Sequence, residues 1–94
     1  MYATVRVYPG KSELAAELRS HQESVKSAIS AVPGFKAYYF VETPDGGGAS
    51  ITVCDDQAGA EASNTAAAAW IAANLAGRAI APPAISAGEV VIAF

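Results

Sequence analysis

The first residues alternate cleanly. In residues 2–8, YATVRVY, Ala3, Val5 and Val7 share one face while Thr4, Arg6 and Tyr8 share the other. A period of two with β-branched and aromatic residues predicts a strand, and Pro9-Gly10 ends it. The period then lengthens. Ser12 stands as N-cap to a stripe of Leu14, Leu18, Val25, Ile29 and Val32, with Glu13, Glu17, Gln22, Glu23 and Lys26 opposite, predicting one amphipathic helix. Pro33-Gly34 stops it, because the residue before proline avoids the α region. Residues 35–43, FKAYYFVET, alternate again, residues 43–48 are turn chemistry, and residues 49–54 resume as a strand, so a hairpin joins them. Asp55 or Asp56 caps a second, alanine-rich helix running to Ala76, with Ala62, Ala66, Ala69, Trp70 and Ala73 as its buried stripe and Gly77 just past its end. Residues 80–88, with Pro82-Pro83, read as a loop and residues 89–94 as the last strand.

The order βαββαβ predicts an α+β, ferredoxin-like fold over residues 1–94 as a single domain. Its four-stranded antiparallel sheet has the first and third strands in the centre and two helices on one face. The helices need an apolar partner, which Val5, Val7, Ala37, Tyr39, Val41, Ile51, Val53, Val90 and Ile92 supply. The other face then carries Thr4, Arg6, Tyr8, Lys36, Tyr38, Phe40, Ser50, Thr52 and Cys54, with Val91. Its footprint, roughly 400 Å² from strand spacing and length, lies where an exposed patch marks an interaction site. Aromatic and arginine enrichment matches interface composition. A two-fold homodimer packed sheet against sheet covers it, with Arg6, Tyr8, Tyr38, Phe40 and Thr52 in the joint. A monomer with a half-wet sheet is the alternative.

Composition narrows the function. At 94 residues and 16% charged the chain is one globular domain, and a net charge of −3 with six scattered Lys and Arg argues against nucleic acid. One cysteine allows no intrachain disulfide and no cysteine cluster, which suits the cytoplasm, and no apolar run approaches a membrane span. The alanine content points to a GC-rich bacterial genome. Asp45-Gly46-Gly47-Gly48 lacks the Lys-Ser/Thr of a phosphate loop and reads as a hairpin turn, while Asp55-Asp56 reads as helix capping rather than a metal site. No hydrolase or metalloprotease motif occurs, no glycine-bracketed arginine loop follows the first strand, and no metal is expected.

The residues able to carry chemistry are few. His21 falls beside the apolar stripe of the first helix, where an imidazole serves as base or donor, or else as a boundary side chain half in water. Glu17, one turn upstream, is the nearby acid. Tyr39 and Trp70 are expected to meet between sheet and helix, as walls for a flat ligand or as filling for the space that alanines leave. Asn74, one turn beyond Trp70, offers a carboxamide to the same place or to solvent. Cys54 lacks a partner that would lower its pKa and reads as inert.

The whole chain resembles the dimeric α/β-barrel superfamily, in particular small proteins similar to antibiotic-biosynthesis monooxygenases. The resemblance rests on the N-terminal strand, the helix ending in Pro33-Gly34-Phe35, the Tyr38-Tyr39 strand, the hairpin and the acid-capped helix. It implies a homodimeric α/β barrel with a pocket between sheet and helices for a small apolar or aromatic molecule. Relatives include cofactor-independent oxygenases and haem-degrading enzymes. Cys54 stands where many members carry tryptophan, and Ser63 or Asn64 where they often carry histidine. The Asn, Trp, His set of the haem-degrading branch is not matched, since Thr4 and Arg6 occupy the first strand, so no cofactor is expected. If the chain is an enzyme, the resemblance implies a cofactor-independent oxidoreductase with His21 as catalytic group and Tyr39, Trp70 and Asn74 as substrate contacts. The alternative is a non-catalytic dimerisation or ligand-sensing module.

Overall fold

The structure, a computed structural model, describes residues 1–78 and 80–94. In chain order the elements are β1 (Tyr2–Tyr8), α1 (Leu14–Ser20), α2 (Gln22–Ser30), β2 (Phe35–Glu42), β3 (Gly48–Cys54), α3 (Gln57–Asn74) and β4 (Ala84–Glu89). The strands form one antiparallel sheet ordered β2-β3-β1-β4, so the first and third strands are central, as the connectivity requires. One face is covered: α1 and α2 lie along β2, and α3 lies across β1 and β3. This is the ferredoxin-like α+β fold.

Three details depart from the sequence reading. The first helix is broken at His21, whose φ of −122° and ψ of 31° separate α1 from α2. The Ser20 hydroxyl donates back to the Ala16 carbonyl at 3.2 Å, and the His21 ring bonds the Glu17 carbonyl, a pairing that competes with the helix ladder. The last strand also comes earlier, directly after Pro82-Pro83. Its register runs from Val7 opposite Ala84 to Tyr2 opposite Glu89, and the Val90 amide makes a last bond to the Met1 carbonyl at 2.9 Å. Beyond that rung Val91, Ile92 and Phe94 are exposed.

The third departure concerns the sheet faces, which are reversed. Arg6 (1% exposed), Thr52, Thr4, Ser50 and Cys54 are buried beneath α3, and Tyr8, Tyr38 and Phe40 pack with Leu14, Val25, Ile29 and Trp70. The residues expected in a dimer joint, Arg6, Tyr8, Tyr38, Phe40 and Thr52, therefore face the helices and are not available to a partner. The reason is the inner stripe of α3, which is small and partly polar: Gly59, Ala60 and Ser63 are buried, with Asn64 beside them. Such a stripe complements a face of hydroxyls and a guanidinium better than one of valines. The other face consequently lies open. Its cross-strand rows are Ala37, Val53, Ala3; Tyr39, Ile51, Val5; and Val41, Ala49, Val7, none of them charged.

Local chemistry sets the close approaches. Asp56 caps α3, its carboxylate accepting from the Gly59 amide at 3.0 Å. A Cβ at Gly59 would collide with the Pro33 carbonyl oxygen and lie 3.0 Å from the Cys54 Cβ, so glycine lets α3 start against the end of β3.

Candidate functional site

A cleft of about 830 Å³ opens between α1–α2 and β2, the outer strand of the sheet. Leu18, Val25, Ile29, Phe35, Tyr38 and Phe40 give it apolar walls. The rim is charged, with Arg19 paired to Glu42 at 2.9 Å and Lys26 and Glu23 on α2. Such a cleft, apolar within and polar at the mouth, suits a small organic ligand.

Deeper in, the space bounded by Tyr8, Leu14, Phe40, Ala67, Trp70 and Ile71 shrinks to about 20 Å³, room for roughly one water. Of the two roles open to Trp70, wall for a ligand or filling between helix and sheet, it is here part of the filling, with Tyr8 and Phe40.

Three of the expected site residues do meet, but outside the cleft. His21 Nδ1 lies 2.8 Å from the Glu17 carbonyl oxygen and 3.6 Å from its carboxylate. A carbonyl only accepts, so Nδ1 is the donor in this bond. The ring meets Trp70 edge-on, with centroids 5.8 Å apart. Trp70 is buried and donates from Nε1 to the Ser24 hydroxyl at 2.8 Å, and the Asn74 amide donates to the Trp70 carbonyl at 2.9 Å. Of these bonds the one from Trp70 to Ser24 ties α3 to α2, while those of His21 and Asn74 are local. Tyr39 does not join them. It is 63% exposed on the open sheet face, at the rim of the cleft, because its register partner Ile51 belongs to that face.

The sequence reading missed the polar centre beneath α3. Arg6 Nε donates to Ser50 at 2.9 Å, Nη2 to Thr52 at 2.5 Å, and Nη1 to Asn64 Oδ1 at 2.7 Å and Ser63 at 3.3 Å. The Thr4 hydroxyl donates to the same Asn64 oxygen at 2.9 Å. Among the described residues no carboxylate pairs with this guanidinium. Burial lowers the Arg6 pKa, and the nearby Tyr8 and Tyr38 hydroxyls partly offset that. Burial also pushes both phenols up, with Arg6 opposing it. The signal was present as same-parity polar residues on adjacent strands, Thr4 and Arg6 opposite Ser50 and Thr52, matched by the small residues of α3.

These features bear on haem, a cofactor of the haem-degrading branch of the superfamily that the sequence resembles. The filled interior has no room for a porphyrin, and the cleft is lined by no histidine, cysteine or methionine. Burial pushes up the pKa of the Tyr38 phenol, which lines it from the core side, and Tyr39 stands at its rim on the open face. The histidine, cysteine and methionine ligands usual for haem are missing from the cleft lining.

No family model and no curated protein matches the chain. Among solved structures, a point mutant of MhuD with two manganese protoporphyrin IX molecules bound per active site is 15% identical, with a TM-score of 0.75, over 100% of this chain and 98% of that one. A Nitrosomonas europaea protein of unknown function is 25% identical, with a TM-score of 0.69, over 99% of this chain and 90% of that one. The chain shares the ferredoxin-like fold of both along its whole length.

Proposed function

We propose that the protein is a homodimer of the dimeric α/β-barrel, monooxygenase-like type, and that each copy binds a small apolar or aromatic molecule in the cleft between α1–α2 and β2. The observation that carries the reading is the cleft itself, apolar on Leu18, Val25, Ile29 and Phe40 and large enough for a ring system. The shared fold supports the superfamily, and the uncharged rows of the open sheet face support a second copy seated on that face. Binding without turnover is the form that the geometry favours, because His21, Trp70 and Asn74 bond to Glu17, to Ser24 and to the Trp70 carbonyl and none of them lines the cleft. A catalytic role for His21 rests on Nε2, the ring nitrogen that Glu17 leaves unused.

The test is a titration with 1-naphthol followed by amide and aromatic NMR shifts. The reading predicts saturable binding with shifts at Phe35, Tyr38 and Phe40, weakened at least tenfold by Ser30→Trp, which obstructs the cleft from an exposed rim position. Absence of saturable binding, or binding indifferent to that substitution, contradicts it.

A further inference from the structure

We infer that Arg6, Thr4 and Asn64 form a second binding site, separate from the cleft, for a small planar carboxylate. In this site a ligand oxygen takes the place now held by the Asn64 carboxamide. Two donors from β1 converge on a single acceptor: Arg6 Nη1 at 2.7 Å and the Thr4 hydroxyl at 2.9 Å both point at Asn64 Oδ1. This is how a site holds a carboxylate or enolate oxygen, except that the oxygen belongs to the protein.

The guanidinium is held in place by Ser50, Thr52 and Ser63, all buried, so it keeps its position when Asn64 moves. A buried cation surrounded by neutral oxygens gains more from a charged acceptor than from an amide. Asn64 differs from the other partners in being only partly buried, which gives its side chain an outward path.

The neighbouring strand provides the bed for the rest of the ligand. Ala87 and Ile85 of β4 are the register partners of Thr4 and Arg6, hence on the same face of the sheet, and β4 is exposed along its length beyond α3. Ile85 is 51% exposed. An aromatic ring lying on Ile85 and Ala87 directs its carboxylate at Thr4 and Arg6. A neutral analogue of the same shape loses the charge-assisted bond.

The experiment is a titration of the full chain with sodium benzoate, with benzamide as neutral control, read by NMR at the Arg6 Nε–H and at Ile85. Benzoate is expected to saturate and benzamide to bind at least tenfold more weakly. Asn64→Ala removes the internal competitor and is expected to tighten benzoate binding at least fivefold. Asn64→Asp supplies a permanent carboxylate and is expected to abolish it, while Thr4→Val, close in shape, weakens it several-fold. Ser30→Trp leaves the benzoate affinity unchanged, which separates this site from the cleft. Equal benzoate affinity in the wild-type and Asn64→Asp proteins, or no preference over benzamide, overturns the assignment even if Asn64→Ala fails to fold.

Discussion

Arg6 and Asn64 are joined by a hydrogen bond of 2.7 Å that links the central strand β1 to α3. It belongs to a network in which a buried guanidinium is satisfied by hydroxyls and an amide. The planar fork matters more than the charge, because its donors diverge toward Ser50 and Thr52 on one side and Ser63 and Asn64 on the other.

Arg6→Lys keeps the charge and removes the fork. One ammonium cannot reach all four acceptors, and a compact, strongly hydrated cation is dearer to bury. The substitution is expected to cost about 3 kcal/mol of stability, in the range for breaking buried charged hydrogen bonds. Urea unfolding checks this. A loss below about 1 kcal/mol would mean the network adds little.

Alkaline pH should weaken the fold through the same region. Burial holds Tyr8 and Tyr38 above the ordinary 10.0, and the Cys54 thiol above 9.0. Each group keeps its proton longer in the folded chain than in the unfolded one. Their contribution is therefore complete below the unfolded values and is lost as pH rises through the folded ones. The Arg6 shift has the opposite sign, but it descends from an ordinary guanidinium value that lies above this window. Thermal unfolding is expected to be flat from pH 7 to about pH 9 and to fall beyond it. Tyr38→Phe should make the decline shallower.

Gly59→Ala tests how closely α3 approaches the sheet. Alanine favours a helix by about 1 kcal/mol over glycine, yet the added methyl meets the Pro33 carbonyl and Cys54. The steric term is expected to win, with a net loss of about 2 kcal/mol in chemical denaturation. A stabilised variant would show that the N-terminus of α3 shifts freely.

Much of the fold could be read from the alternation alone. The first three strands, the hairpin, the acid cap at Asp56 and the central place of β1 and β3 follow from period, turn residues and connectivity. The faces could not be assigned by hydrophobicity, because this sheet has Tyr8, Tyr38 and Phe40 on the polar side. Tyr8, Tyr38 and Phe40 bring enough apolar area to carry Arg6, Thr4 and Thr52 inward with them, while the valines are left outside. The deciding information lay in α3, where Gly59, Ala60 and Ser63 mark the buried stripe better than Ala69 or Ala73, both exposed. Tyr39 followed its strand to the open face, and the expected pair with Trp70 was lost with it. The end of β4 depended on register: its last pair is Tyr2 opposite Glu89, which the apolar run of residues 90–94 does not reveal.

The reversed faces are most directly tested by sedimentation velocity on the wild type, Ile51→Lys and Tyr38→Asp. Ile51 sits in the middle row of the open face, whereas Tyr38 lies beneath the helices. The wild type should sediment at twice the 9.5 kDa chain mass, and Ile51→Lys as a folded single chain with unchanged circular dichroism. Tyr38→Asp should lose its folded spectrum altogether. A wild type at the single-chain mass, or a Tyr38→Asp variant that stays folded and merely comes apart, would contradict this arrangement of the sheet.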